Sequence, residues 1–231
     1  MAVNVAISGF GRIGRLVLRS IIESKRKDIN VVAINDLAPV DTNAFLLAND
    51  TVHGPLNEKI SVKKNKMTIG RKTISVLNER DPQKLPWKKM KIDVALECTG
   101  LFTSKEKASM HIKAGAKKVL VSAPCSEADK TIVYGVNEQE ITRNDLVVSN
   151  ASCTTNCLAP VVKVLHEKFG IVHGYMTTIH AFTGDQSVLD TFHPDLRRAR
   201  AASMSMIPTS TGAAKAVGLV MPELSGKLDG T

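Results

Sequence analysis

Residues 149–157 place a cysteine among hydroxyl and amide side chains, in the order S-N-A-S-C-T-T-N-C. A strand-like apolar run at residues 146–148 precedes this stretch, and the periodicity of an amphipathic helix follows at residues 158–169. The first backbone N–H groups of a helix favour an anion, so a thiol at such a turn has a lowered pKa. The alternative is a buried, inert cysteine. The polar neighbours favour a reactive thiol, and Cys153 is therefore the predicted nucleophile.

A histidine follows at the end of the next apolar segment. Residues 171–181 alternate in character like a strand of a second, mixed sheet, and His180 stands at its end. A thiol nucleophile needs a base or an imidazolium partner, which His180 could supply. Spacing alone allows a hydrogen-bonded bystander equally well, so both interpretations stay open.

Two further stretches could bind phosphate groups. Residues 209–215 carry small hydroxyl side chains and a glycine before an apolar helix, the composition of an anion site at a helix N-terminus. Residues 183–208 are irregular and basic, with Arg197, Arg198 and Arg200 close together. A solvated loop or a contact between subunits would explain these arginines too.

The N-terminal segment predicts the element that would present a cofactor. A short apolar strand at residues 3–8 runs into G-F-G-R-I-G and then into a helix pattern. In that setting Gly9 allows a tight turn, Gly11 lets the backbone approach a pyrophosphate, and Gly14 lets the helix pack on the strand. The predicted buried face of this helix comprises Ile13, Leu16, Val17 and Ile21.

A carboxylate ends the second predicted strand. Residues 31–35 are apolar up to an asparagine, and Asp36 follows. A carboxylate there accepts hydrogen bonds from the adenosine ribose and repels a 2′-phosphate, which favours NAD over NADP. The alternative for Asp36 is a helix N-cap or an ordinary loop acid.

Strands and helices alternate through the rest of the first half. We predict a helix at 41–49, antiparallel strands at 59–63, 66–69 and 72–77, parallel strands at 92–97 and 119–121, and a helix at 104–111. Carboxyl ends of parallel strands line the ligand crevice, so Thr99, Gly100 and Ser122 are candidate cofactor neighbours, although each could be a simple turn residue. The predicted fold class is α/β, with a doubly wound (Rossmann) dinucleotide-binding domain at residues 1–151.

The net charge of +9 raises the question of nucleic acid. Eleven basic and two acidic residues lie within residues 59–91, and the rest of the chain is balanced. Nucleic-acid binders combine such charge with aromatic side chains or a recognition helix. This segment has only Trp87, so a solvated hairpin is the favoured interpretation and a nucleic-acid-binding module the alternative.

Other features exclude whole classes of protein. The N-terminus lacks the basic region of a signal peptide, and the longest uncharged run is too polar to span a bilayer. The four cysteines show no metal-ligand spacing, and we expect them to stay reduced. The expectation is a cytoplasmic protein without a metal.

With these motifs in hand, the chain resembles phosphorylating glyceraldehyde-3-phosphate dehydrogenases of type I. The resemblance rests on the S-C-T-T-N-C motif ending at Cys157, the I-S-G-F-G-R-I-G-R motif at residues 7–15 and the T-G-A-A-K-A-V segment at residues 211–217. It implies an NAD-dependent oxidation of glyceraldehyde 3-phosphate to 1,3-bisphosphoglycerate in glycolysis, by a cytosolic homotetramer. Cys153 would form a thiohemiacetal and then a thioester, with His180 moving the proton.

The resemblance also implies roles for other residues. The attacking-phosphate site would comprise Ser152, Thr154, Thr211 and Gly212, and the substrate-phosphate site Thr183 and Arg198. The cofactor site would comprise Gly9, Phe10, Gly11, Arg12, Ile13, Gly14, Asp36, Arg80, Thr99, Gly100 and Ser122.

The chain departs from the family pattern in three respects. Ser8 replaces an asparagine, and Ala181-Phe182 replaces Ser-Tyr. The resemblance covers the N-terminal two-thirds of the family's length, so we expect part of a longer chain, with a partial α+β catalytic domain at residues 152–231. The nearest rival is erythrose-4-phosphate dehydrogenase, which hydrolyses its thioester and so does not need the phosphate cradle at residues 209–215.

Overall fold

Nine strands form one sheet in a computed structural model, which describes residues 2–231. Residues up to Ile132, together with residues 139–151, make a first unit, and residues 133–138 and 152–231 make a second. The strands are β1 Val3–Ser8, β2 Ile29–Asn35, β3 Asn49–Asp50, β4 Gly54–Pro55, β5 Ile60–Lys63, β6 Lys66–Ile69, β7 Lys72–Leu77, β8 Val94–Glu97, β9 Lys118–Val121, β10 Lys130–Thr131, β11 Val147–Ser149, β12 Gly174–Met176 and β13 Leu228–Gly230. The helices are α1 Arg12–Glu23, α2 Val40–Ala48, α3 Lys105–Ala108, α4 Met110–Lys113, α5 Cys153–Phe169 and α6 Ala213–Ala216, with short 3-10 helices at Pro82–Lys84, Glu138–Glu140, Val217–Leu219 and Pro222–Leu224.

The sheet of the first unit is mostly parallel. Its order is β10-β11-β9-β8-β1-β2-β7-β6-β5, with parallel pairing from β10 to β7 and antiparallel pairing of β7 with β6 and of β6 with β5. The chain goes from β1 to one side to make β2 and later returns to the other side to make β8. That reversal is the position at which doubly wound sheets bind their ligands. The predicted α/β fold class is confirmed.

Alternate residues of the central strands supply two apolar layers, one on each face of the sheet. Ala6 and Ala95 face a layer that includes Trp87, whereas Ile7 faces a layer that includes Leu18. Because successive strand residues point to opposite faces, a strand covered on both sides must be apolar throughout. This requirement explains the continuous apolar runs that the sequence shows at these strands.

The first helix is rotated relative to the predicted face, of which Ile21 packs partly buried against the core. Gly14 and Leu18, one turn apart, are buried, whereas Ile13 is 48% exposed. A Cβ on Gly14 would lie 2.2 Å from the carbonyl oxygen of Gly9, so this glycine brings α1 against the preceding turn. The contact at Gly14 thereby sets the rotation of the helix, which apolar periodicity alone did not reveal.

The basic segment forms the antiparallel edge of the sheet. Strands β6 and β7 have the predicted bounds and β5 begins one residue later than predicted. Lys63 at the end of β5 and Lys66 at the start of β6 are exposed, as expected for a solvated hairpin.

The second unit is built around α5, which begins at Cys153 and ends at Phe169, before the C-cap Gly170 with φ of 69°. The strand predicted at residues 171–181 is shorter, since only Gly174–Met176 pairs, in parallel, with Leu228–Gly230. The predicted second, mixed sheet is therefore a two-stranded parallel one. Parallel and antiparallel pairing are combined in the nine-stranded sheet of the first unit. Within residues 2–231, no helix combines the length and the apolar character needed to cross a membrane.

Candidate active site

Cys153 is the first residue of α5, so the N-terminal backbone of that helix surrounds its thiol. Ser152 is the N-cap: its hydroxyl accepts a hydrogen bond from the backbone N–H of Thr155 at 3.0 Å. Such a cap satisfies one of the free N–H groups of the first turn. The hydroxyl and the backbone N–H of Thr154 bond to the Cys153 sulfur, and the side chain of Cys153 stays exposed.

His180 lies against this thiol, although 27 residues separate the two in the chain. Its Nε2 is 3.2 Å from Cys153 Sγ, and its Nδ1 is 2.6 Å from the carbonyl oxygen of Ala181. A carbonyl can only accept, so Nδ1 carries a proton and donates it to Ala181. Nε2 therefore faces the sulfur, either as an acceptor of the thiol proton or as the N–H of an imidazolium.

The electrostatics of this pair favour its ionised form. Partial burial opposes ionisation of Cys153, but the hydrogen bonds from His180 and Thr154 outweigh it and lower the pKa of the thiol. The bond to the Ala181 carbonyl, followed by the bond to Cys153, raises the pKa of His180. Each shift favours transfer of the thiol proton to Nε2, which leaves a thiolate beside an imidazolium. A thiolate is the nucleophilic form of cysteine.

A buried threonine links α5 to the segment with the predicted phosphate-binding hydroxyls. Thr155 is fully buried, and its hydroxyl donates to the carbonyl oxygen of Ala213 at 3.3 Å. The hydroxyl of Thr211 in turn accepts from the backbone N–H of Ala213 at 3.1 Å. The helix expected after Gly212 is short, because α6 spans only Ala213–Ala216.

The predicted substrate-phosphate residues belong to one hydrogen-bonded loop. The hydroxyl of Thr183 accepts from the backbone N–H of Asp185 at 3.3 Å, and the Asp185 carboxylate forms an ion pair with Arg198. Arg198 also donates to the hydroxyl of Thr209 at 2.9 Å and lies 3.7 Å from Asp195. The bond from Arg198 lowers the pKa of Asp185. A phosphate that binds Arg198 must therefore displace or join this carboxylate.

The glycine turn of the first unit lies where the sheet reverses direction. Gly9 has φ of 86°, and a Cβ there would lie 2.6 Å from the backbone nitrogen of Thr99, so the two turns are in contact. Asp36 accepts a 2.7 Å bond from the backbone N–H of Phe10, whose side chain is buried in the core. By contrast, a Cβ on Gly11 would meet nothing within 4 Å. The residues fit a dinucleotide, because the turn leaves open space beside an exposed backbone.

The other predicted cofactor residues lie near the same edge of the sheet. Arg12 and Ile13 occupy the exposed first turn of α1, where Arg12 forms a 2.5 Å ion pair with Asp50. Gly100 has φ of 74° in the turn after β8, and Ser122 follows β9 and bonds to the thiol of Cys98. Arg80 is exposed in the segment after β7.

Comparison with known proteins identifies the family. A family model for the NAD binding domain of glyceraldehyde 3-phosphate dehydrogenase matches residues 3–105, and one for the C-terminal domain matches residues 152–231. The glyceraldehyde-3-phosphate dehydrogenase of Xanthobacter flavus is 65% identical over 231 residues, which are 100% of this chain and 69% of that relative. Those of Cereibacter sphaeroides and Geobacillus stearothermophilus are 64% and 56% identical, and the chain covers 68% of each. The chain belongs to the glyceraldehyde 3-phosphate dehydrogenase family.

A second cysteine of α5 lies near the proposed nucleophile. Cys157 is exposed and does not pack in the core. The buried residues of α5 are Thr155, Ala159 and Val162. Cys153 and Cys157, one turn apart, lie outside that buried stripe, so both thiols are accessible.

Sequence reasoning missed several groups in this glyceraldehyde 3-phosphate dehydrogenase homologue. Asp185, which pairs with Arg198, had no signal beyond its position in a basic loop, and nothing indicated that Thr209 of the hydroxyl-rich stretch would bond to Arg198. A second group, Trp87, His111 and Glu97, forms a buried hydrogen-bonded chain behind the Thr99 turn. The sequence did contain one signal for this group. Glu97 shares a strand face with the buried Ala95, and a carboxylate at a core position needs partners.

Proposed function

We propose that this chain catalyses the NAD-dependent oxidative phosphorylation of glyceraldehyde 3-phosphate to 1,3-bisphosphoglycerate. The observation that carries the proposal is the hydrogen bond between Cys153 and His180 at the first turn of α5. Family membership supplies the substrate, since the relatives carry the name glyceraldehyde-3-phosphate dehydrogenase.

The geometry of Cys153 and His180 supports the following chemistry. The thiolate of Cys153 adds to the aldehyde carbon, and Nε2 of His180 gives its proton to the new alkoxide, which yields a thiohemiacetal. NAD, when bound, supplies the hydride acceptor. As hydride leaves the carbon, Nε2 takes the hydroxyl proton back and a thioester remains on Cys153. Phosphate attack on the thioester carbon then releases the acyl phosphate and restores the thiolate.

The proposed phosphate sites divide between two segments of the second unit. Ser152, Thr154, Thr211 and Gly212 are proposed for the attacking phosphate, supported by the bond that joins Thr155 to the turn after Thr211. Thr183 and Arg198 are proposed for the substrate phosphate. Because Asp185 pairs with Arg198, the substrate phosphate would exchange one anionic partner of the guanidinium for another.

For the cofactor, we propose that the turn comprising Gly9, Phe10, Gly11, Arg12, Ile13 and Gly14 holds the pyrophosphate. Asp36 would accept bonds from the adenosine ribose, and its charge would disfavour NADP. Arg80, Thr99, Gly100 and Ser122 are proposed as further neighbours of the cofactor. Gly14 is buried and contributes through packing of α1.

The separate roles of the two parts of the chain and its oligomeric state are also proposals. Residues 1–151 would bind NAD and residues 152–231 would hold the catalytic groups, a boundary supported by the change of unit between Ala151 and Ser152. The resemblance further suggests a cytoplasmic homotetramer. Light scattering of the purified chain would measure a mass four times that of the monomer if the tetrameric assembly is correct.

The reaction is tested by NADH formation from NAD and glyceraldehyde 3-phosphate, with and without inorganic phosphate. We expect turnover that requires phosphate and is absent in Cys153→Ser. Turnover that is indifferent to phosphate and faster with erythrose 4-phosphate would replace the proposal by a thioester-hydrolysing dehydrogenase. A rate no higher than that of Cys153→Ser would overturn the catalytic assignment.

A further inference from the structure

Three buried polar side chains form a chain of hydrogen bonds behind the turn that follows β8. Trp87 Nε1 lies 3.0 Å from His111 Nδ1, and His111 Nε2 lies 2.9 Å from Glu97 Oε2. Trp87 and His111 are 0% exposed and Glu97 is 1% exposed. The planes of the His111 and Trp87 rings are 24° apart with centroids 6.3 Å apart, and Phe102 meets the imidazole edge-on.

The direction of every bond in this chain follows from one donor. An indole nitrogen can only donate, so Nδ1 of His111 is an acceptor and its proton sits on Nε2. Nε2 therefore donates to Glu97, which must accept. The other carboxylate oxygen of Glu97 accepts from the backbone N–H of Thr99 at 2.8 Å and from the Thr99 hydroxyl. Glu97 thus acts as a carboxylate whose partners are all neutral donors.

Burial of this carboxylate is expensive in free energy, because the groups that bond to it, on His111 and Thr99, are neutral donors. An apolar side chain at position 97 would fill the same face of β8 as Ala95 without that cost. The carboxylate does something that an apolar residue could not: it holds the turn at Thr99 by two hydrogen bonds. The hydroxyl of Thr99 in turn accepts from the backbone N–H of Leu101 at 3.0 Å, so the hold extends through Gly100.

The Thr99 turn is one wall of the proposed cofactor site. A Cβ on Gly9 would lie 2.6 Å from the nitrogen of Thr99 and 2.7 Å from the carbonyl carbon of Cys98, so the two backbones are already in contact. Movement of Thr99 would therefore move or loosen the glycine turn at Gly9. That turn also carries the N–H of Phe10, which bonds to Asp36.

We propose that Trp87, His111 and Glu97 form a positioning relay that holds the Thr99–Gly100 turn against Gly9 and so pre-organises the dinucleotide site. None of the three touches the reacting atoms. They act on cofactor affinity through Thr99, and the inference rests on the proposed binding of NAD by the first unit.

The test measures the dissociation constant of NAD by calorimetry on the full chain. In Glu97→Gln the amide nitrogen must face either His111 or Thr99, both of which donate, so one bond of the relay breaks in either orientation. We expect affinity to fall about tenfold, the effect of one lost hydrogen bond to a charged group. The KM for NAD should rise, while kcat at saturating NAD stays within about twofold.

Substitution of His111 provides a matched pair. The amide of His111→Gln can accept from Trp87 and donate to Glu97, which preserves the direction of the relay, whereas His111→Leu cannot. We expect His111→Gln to retain NAD affinity within about threefold and His111→Leu to lose about tenfold. The indole N–H of Trp87, the sole tryptophan, gives one proton–nitrogen NMR signal that should shift in His111→Leu and stay near its place in His111→Gln.

Leu47→Ala is the control for general destabilisation, since Leu47 packs in the apolar layer on the opposite face of the sheet. It should lower the Tm and leave the NAD dissociation constant within about twofold. The relay is refuted if Glu97→Gln and His111→Leu keep wild-type affinity, or if His111→Gln loses as much as His111→Leu. If Glu97→Gln does not fold, Trp87→Phe takes its place, because it removes only the first donor of the relay. Wild-type NAD affinity in Trp87→Phe would then refute the relay. A wild-type chain that binds no NAD would instead refute the proposed function.

Discussion

Two histidines of this protein each bond to an acidic partner, yet their surroundings are opposite. His111 is fully buried between Trp87 and Glu97, whereas His180 is exposed between the Ala181 carbonyl and Cys153. A buried ring with a donor on one side and an acceptor on the other has a single protonation state that satisfies both. The exposed ring has one fixed bond, and its other nitrogen can hold or release a proton. The first arrangement suits positioning, and the second suits proton transfer.

The two units extend this contrast. The first unit surrounds its turns with sheet and helices, so the groups at the strand ends have fixed neighbours. The second unit presents its reactive groups from the start of one helix and from a segment, residues 183–208, that has neither helix nor strand. Substitution of the reactive groups of the second unit should therefore change activity with little loss of stability, whereas substitution of the buried His111 in the first unit should lower both the Tm and the affinity for NAD.

The largest effect should come from Cys153→Ser. A serine hydroxyl stays protonated beside His180 and is a poor nucleophile, so dehydrogenase activity should fall by about ten-thousandfold or more. Because the side chain is exposed, the Tm should stay within about 1 °C of wild type. NADH formation and calorimetry measure the two quantities. A large drop in Tm would show that Cys153 belongs to the core. It would contradict the distinction between exposed reactive groups and buried positioning groups.

His180→Asn should have the next largest effect. Asparagine cannot carry the proton between the thiol and the substrate oxygen, so kcat should fall by about a hundred- to ten-thousandfold. Stability should hardly change, in contrast to His111→Leu, which should lower the Tm by several degrees. Wild-type turnover in His180→Asn would remove His180 from the mechanism.

The pH dependence of thiol reactivity sharpens the role of this pair. The pKa of Cys153 is lowered and that of His180 is raised, so each shift increases the fraction of the thiolate–imidazolium pair near neutral pH. Alkylation by iodoacetamide should follow the thiolate, falling as the pH drops through the lowered thiol pKa. In His180→Asn the midpoint should move to higher pH. A Cys157→Ser background removes the other exposed thiol. An unchanged midpoint would mean that His180 does not stabilise the thiolate.

Two glycines of the first unit should respond differently to alanine. Gly14→Ala places a Cβ 2.2 Å from the Gly9 carbonyl oxygen and should cost about 1–3 kcal/mol of unfolding free energy. At Gly11 the space is open and φ is −71°, so Gly11→Ala should fold normally and weaken NAD binding by about tenfold. Urea unfolding and calorimetry test this pair. Equal stability losses in both variants would contradict the assignment of Gly14 to helix packing and of Gly11 to the approach of the cofactor.

The smallest effect concerns two buried serines. Ser8 is 1% exposed, and its hydroxyl is the one buried side-chain polar atom without a hydrogen-bond partner in residues 2–231. Ser8→Ala should therefore be neutral or stabilising by up to about 1 kcal/mol. Ser149, also buried, donates to the carbonyl of Ala123 at 2.9 Å, and Ser149→Ala should cost about 1–3 kcal/mol. Urea unfolding compares them, and a cost at Ser8 equal to that at Ser149 would reveal an unseen partner.

Much of the fold could be predicted from local patterns. The glycine turn after β1, the parallel and antiparallel strands and the helix that starts at Cys153 each depend on consecutive residues, because backbone freedom, side-chain alternation and helix capping act over a few positions. The family is confirmed for the same reason, since its motifs are short and contiguous. The proposed roles of Cys153 and Asp36 also come from such local positions.

Only the tertiary structure decided which distant groups meet. Spacing left His180 as a bystander or a partner, and the fold places its Nε2 3.2 Å from the thiol. Nothing in the sequence joined Trp87 and His111 to Glu97, or showed that Cys157 is exposed and that α1 turns Leu18 inward. These outcomes depend on how elements pack, on a close approach such as that at Gly14 and on the bonds that a buried carboxylate requires. Residues far apart in the chain supply those contacts, so no local pattern contains them.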